Sequence, residues 1–179
     1  MAEGVPSTVW AYRALFAVLA LALLFLRLLP LGSAAGSWPG PDLLMCLTFA
    51  WVLRRPDYVP IALIAMVVLL EDLMLMRPPG LWAALMVLGA EFLRNRTALS
   101  RELSFVVEWV LVAGVMAAVV MGNRLVLAVT MLDQASLGQT IIQLVASILC
   151  YPVVVFLSRL AFGVRKPAAG EIDAYGRRL

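Results

Sequence analysis

At 179 residues, with 64% of them hydrophobic, only 14% charged and a mean hydropathy of +0.99, the chain is far too apolar for a soluble domain, which runs nearer half apolar and a quarter charged. It reads as all-α: a polytopic integral membrane protein, one transmembrane domain with no room for a second large one. The net charge is +3 and there is no histidine, which excludes the common zinc sites and histidine-based triads.

In chain order, residues 1–10 form a polar lead-in, and Trp10 and Tyr12 are placed as an interfacial belt. Span one covers about 11–31 and carries Arg27 near its far end. The small-residue patch at 32–37 gives this run the look of a signal peptide. Yet the run is longer than a usual h-region and its n-region holds a single basic residue, Arg13, so it reads as a permanent span. The next loop is rich in Gly, Pro and Ser, with Trp38 as another interface anchor. Span two covers about 41–53; Asp42 directly after Pro41 suits a helix start, and Arg54-Arg55 ends it.

Span three, about 58–76, meets two adjacent carboxylates, Glu71 and Asp72, before Arg77-Pro78-Pro79-Gly80 turns the chain into span four, about 80–92. Each intramembrane carboxylate costs about 2.5–3.5 kcal/mol on insertion scales, so a compensating partner is required. Spans two and four fall short of the ~20 apolar residues a crossing helix needs. Flanking residues complete them, the bilayer thins, or they form a re-entrant pair. Glu91 and Arg94, three apart, read as a local surface pair. Span five covers about 103–121 and holds Glu108. Segment 122–137 is left open as an extension of span five, an interfacial amphipathic segment or a loop. Span six, about 138–162, contains Pro152, a kink position. Residues 163–179 read as a mobile, basic cytoplasmic tail, whose Arg165, Lys166, Arg177 and Arg178 either bind anionic lipid or anchor topology.

With six spans and both termini cytoplasmic, eleven basic residues fall on the inner side, against Arg77 and Arg124 outside and Arg27 within a span. That asymmetry sets the orientation. At about 1.5 Å rise per residue, Arg27 lies roughly 24 Å along span one and Glu71 and Asp72 roughly 20 Å along span three. These groups therefore share the outer leaflet with Asp42. The expected structural polar cluster is Arg27, Asp42, Glu71 and Asp72, with Arg27 paired to Asp72 or Glu71. Glu108 either pairs with Arg159 at the inner interface or reaches headgroup water alone. Cys46 and Cys150 lie in apolar runs and read as small core residues. No catalytic, cofactor-binding or metal-binding residue is expected, nor a nucleic-acid partner.

Pro41-Asp42-Leu43-Leu44, Trp51 with Arg55-Pro56, Glu71-Asp72-Leu73 and Pro79-Gly80-Leu81 together resemble the pattern of the rod shape-determining protein MreD family. The motif turn residues are Arg55, Pro56, Pro79 and Gly80. The resemblance covers Pro41 to Leu81, about a quarter of the chain; elsewhere only hydropathy agrees. This chain has Pro-Pro-Gly where Pro-Leu-Gly is usual, and Glu71 where a small residue is usual. The resemblance implies a non-enzymatic scaffold of the bacterial cell-elongation machinery in the inner membrane. It would bind MreC, with MreB filaments and the RodA polymerase and its transpeptidase partner nearby. It also implies a fold similar to the substrate-binding components of energy-coupling-factor vitamin transporters. The alternative function is accordingly a small-molecule-binding membrane subunit; a lipid-handling enzyme is a third, disfavoured reading. Small-residue faces able to seat a partner helix occur in span one (Ala14, Ala17, Ala20, Ala22) and span five (Ala113, Gly114, Ala117, Ala118).

Overall fold

The computed structural model describes residues 7–29, 39–97 and 104–162. Among them every regular element is helical: α1 (Ser7–Leu28), α2 (Leu43–Arg54), a 3-10 turn (Pro56–Tyr58), α3 (Ile61–Met74), α4 (Leu81–Asn95), α5 (Phe105–Val129) and α6 (Leu137–Phe162). Three of these, α1, α5 and α6, are each long and apolar enough to cross a membrane. The chain is an all-α membrane protein.

The fold is organised around the shortest α-helix among the described residues. α2 has 12 residues, about 18 Å of rise, against a hydrocarbon core about 30 Å thick. Every residue of α2 after Leu43 is buried, because α6, α4, α1 and the 3-10 turn pack around it. Its neighbours therefore screen this short helix from whatever surrounds the bundle. The core it anchors includes Phe16, Phe49, Trp51 and Tyr151, all fully buried. The Trp51 Nε1–H donates to Ser158 Oγ at 3.2 Å.

Contacts at the two ends fix the helix directions. At one end, Tyr12 Oη donates to the Phe162 carbonyl at 3.2 Å, the Tyr12 ring stacks on Tyr58 at 4.3 Å, and Arg94 Nη2 donates to the Val59 carbonyl at 2.7 Å. At the other, Arg27, Asp42 and Glu71 meet, and Arg124 Nη1 donates to Thr140 Oγ1 at 2.7 Å. Thus α1, α3 and α5 run one way, and α2, α4 and α6 run back.

Several boundaries differ from those read in the sequence. α1 already begins at Ser7, so Trp10 and Tyr12 sit in its first turns. α3 begins at Ile61 rather than 58, because Pro56 opens a 3-10 turn and Pro60 holds extended backbone before the helix. Of segment 122–137, residues 122–129 continue α5, a turn follows, and α6 opens at Leu137. The tail 163–179, Trp38 and Arg101 lie outside the described residues.

α6 runs as one helix through Pro152. A proline there has no N–H to give the carbonyl of residue 148. The Trp109 Nε1–H on α5 donates to that Ile148 carbonyl at 2.8 Å. In a membrane this is how a helix tolerates proline: a neighbour satisfies the released acceptor. Close packing is equally specific at Gly89 on α4. A Cβ there would lie 3.0 Å from Val119 Cγ2 and 3.1 Å from Phe49 Cζ, so any larger residue makes those side chains give way before α4 can approach α5 and α2 this closely.

Candidate functional site

The end of the bundle that the basic-residue asymmetry is expected to place outside, here the outer end, carries the cluster of charges. Pro41 and Asp42 open α2: the Asp42 Oδ1 accepts from the Met45 N–H at 3.0 Å, the ordinary side-chain cap of a helix start. Its Oδ2 accepts from Arg27 Nη1 at 3.1 Å, and its own N–H donates to Ser147 Oγ on α6 at 2.8 Å. One residue therefore ties α1, α2 and α6 together.

The same Arg27 nitrogen also bonds Glu71 Oε1 on α3. Glu71 is 1% exposed and Arg27 27% exposed, so the acid is fully desolvated while the base still reaches solvent. Of the two partners left open in the sequence for Arg27, the ion pair is with Glu71, and Asp42 shares it.

Asp72 does a different job. Its Oδ2 accepts from the Gly80 N–H at 3.1 Å and from the Ala83 N–H at 3.2 Å. These are orphan donors at the start of α4, which has no side-chain cap of its own. A carboxylate near the end of α3 thus caps the next helix across the Arg77–Gly80 turn, and Gly80 permits the turn with φ +90°. Arg77 Nη1 lies 3.9 Å from Glu71 Oε1. Burial, and then the nearby Arg27 charge, draw the Arg77 guanidinium below its ordinary pKa, while Glu71, Asp42 and Asp72 oppose the shift.

Of the four residues expected in the cluster, Arg27, Asp42 and Glu71 bond one another, while Asp72 lies next to Glu71 in sequence and bonds the start of α4 instead. It also brings in Pro79 and Gly80 through the turn. Arg55 and Pro56 are not part of the cluster; they sit at the opposite end, where the Arg55 N–H closes α2 on the Trp51 carbonyl at 2.8 Å and Pro56 opens the 3-10 turn.

A second buried cluster escaped the sequence reading. Glu108 on α5 pairs with Arg54, Nη1 to Oε1 3.0 Å, and not with Arg159. The same Oε1 accepts from Tyr151 Oη on α6 at 2.9 Å. Arg54 reaches back along α2, donating also to the Ala50 carbonyl at 3.2 Å, which carries its charge inward from the helix end. All three residues are buried. The only available signal was a basic residue at the last position of an otherwise apolar helix. Glu91 and Arg94 form the expected local pair at 2.8 Å.

On the flank of the bundle, α4 and α5 frame an apolar groove of about 530 Å³, lined by Leu85, Gly89, Phe92, Leu111, Gly114 and Ala118 among others. A Cβ built on Gly114 meets nothing within 4 Å. Among the described residues, no group of three or more His, Cys, Asp or Glu converges to hold a metal.

Compared with known proteins, the chain matches no family model, no curated protein and no solved structure.

Proposed function

We propose that the chain is a non-enzymatic scaffold of the bacterial inner membrane, of the MreD kind, that holds the transmembrane helix of an MreC-like partner within the cell-elongation machinery. One observation carries this reading. The residues on which the resemblance rests at Pro41-Asp42, Glu71-Asp72 and Pro79-Gly80 lie up to 40 positions apart in sequence and converge on a single joint between α1, α2, α3, α4 and α6. Their polar atoms are used to join helices. Asp42 spends both carboxylate oxygens on a helix cap and an ion pair, and Asp72 caps α4.

Such a joint makes a rigid platform, and the α4–α5 groove gives it a face. Helix association in lipid rests on close packing of small residues, and Gly114 and Ala118 provide them in the groove. The alternating helix directions support six crossings with both termini cytoplasmic, α2 crossing inside a sheath of its neighbours.

The alternative, a small-molecule-binding transport subunit, has a polar outer cavity on its side. Depletion in a rod-shaped host separates the two. The scaffold reading predicts rounded cells; unchanged shape with a new nutrient requirement would replace it with the transporter reading.

A further inference from the structure

Between the outer ends of α4, α5 and α6 lies a cavity of about 320 Å³, at the lower end of the size range of ligand sites. Arg77, Trp82, Arg124, Thr140 and Gln143 line it, with Val120 and Leu127 as apolar neighbours. Trp82 is 8% exposed, yet its Nε1 is buried with no hydrogen-bond partner among the described residues. Leaving such a donor unmade costs about 1–3 kcal/mol; the atom has almost no accessible surface, so an acceptor in the cavity removes that penalty only once the Trp82 ring turns toward it.

The two guanidiniums point to the kind of acceptor. Arg124 makes its hydrogen bonds through Nη1, to the Ala135 carbonyl at 2.9 Å and to Thr140 Oγ1 at 2.7 Å. Both acceptors are neutral, so they orient the side chain and leave its charge uncompensated; Arg124 has no ion pair among the described residues. Arg77 lies over the Trp82 ring at 5.4 Å, and its nearest carboxylate oxygen, 3.9 Å away, is already bonded by Arg27. Two guanidiniums and the Trp82 ring therefore line one pocket. An ammonium group finds no matching set here, whereas an acceptor-only anion does, and forked guanidiniums suit phosphate oxygens in particular. Asp42 also lines the cavity, but Arg27 and the Met45 N–H occupy its oxygens. Asp133 is the one lining acid that works against an anion.

We propose that this cavity binds a phosphate group, held between the Arg77 and Arg124 guanidiniums, with the Trp82 ring turning to bring its indole N–H in as a third donor. The phosphate belongs either to the headgroup of an anionic phospholipid or to a water-soluble compound. Such a site stands whether or not the chain also seats a partner helix.

The test uses the full chain in mild detergent, titrated with inorganic phosphate, with dihexanoyl-phosphatidylglycerol and with uncharged dioctanoylglycerol, and read by thermal unfolding and native mass spectrometry. We expect saturable stabilisation by one or both phosphate probes and none by dioctanoylglycerol. A response to the lipid alone assigns a headgroup; a response to inorganic phosphate assigns a free anion. Arg124→Gln weakens the apparent affinity about tenfold and Trp82→Phe, which keeps the ring packing, about fivefold. Asp133→Asn tightens it. The proposal is overturned if neither phosphate probe stabilises the protein, if Trp82→Phe binds as the parent does, or if Asp133→Asn weakens binding.

Discussion

Replacing Arg27 by alanine tests the outer joint most severely. The change leaves Glu71, 1% exposed, and Asp42, 5% exposed, without their shared cation. The nearest replacement is Arg77, 3.9 Å from Glu71. Removing one member of a buried ion pair costs about 3–5 kcal/mol. Because Arg27 is itself 27% exposed, the lower figure applies, about 3 kcal/mol. For a chain of this size that corresponds to a fall in Tm of about 6–12 °C, measured by heating the detergent-solubilised protein and following the surviving monodisperse fraction. Removing both charges should be milder than removing one. Arg27→Met with Glu71→Gln leaves no ionised Glu71 to strand, so the double variant should recover at least half of the loss. An Arg27→Ala protein within about 2 °C of the parent would refute the reasoning, since it corresponds to less than about 1 kcal/mol. So would a double variant no better than the single.

Three further outcomes follow. Asp72→Ala should cost about 2 kcal/mol through the two N–H groups it strands at the start of α4, while Asp72→Asn, which keeps an acceptor oxygen, should cost less than half of that; thermal unfolding of the two side by side checks it. Trp109→Phe should cost about 1 kcal/mol by stranding the Ile148 carbonyl, and the cost should shrink in a Pro152→Ala background, where the new N–H takes that carbonyl; a double-mutant cycle reads the coupling. Glu108→Ala should cost about 3 kcal/mol by leaving the Arg54 charge buried, whereas Arg159→Ala, a few turns further along α6, should leave Tm within about 2 °C, as ordinary surface substitutions do.

Hydropathy made the helical spans legible, and a depth count along spans one and three was enough to bring Arg27 level with Glu71 and Asp72. The helix start at Pro41-Asp42 was equally plain. The burial of α2 was not, because an interior residue and a lipid-facing residue are equally apolar: Leu47 in the core and Leu26 on the surface look alike in sequence. The same ambiguity hid the continuation of α5 through Gly122, Asn123 and Arg124. Their lower hydropathy reads as a break, but Asn123 and Arg124 face the outer cavity instead of lipid. Long side chains defeated the pairing of Glu108. Arg54 belongs to the end of its helix by position, yet its guanidinium lies back near Ala50, a displacement that residue counting does not capture. Asp72 is one of the two acids that depth along the spans places level with Arg27, and so one of its two expected partners. Its real partners are backbone N–H groups 8 and 11 residues ahead, which only the turn at Gly80 brings within reach.

As proposed, this molecule works by holding another helix against the α4–α5 groove. Affinity-tagged chain, purified in mild detergent from a rod-shaped host, should bring with it a partner that has a single span and a periplasmic domain. A Gly114→Trp variant fills the groove where a side chain meets nothing within 4 Å, so it should elute and unfold like the parent but lose that partner. Parent protein that emerges alone, or a Gly114→Trp variant that retains the partner in full, would contradict the account.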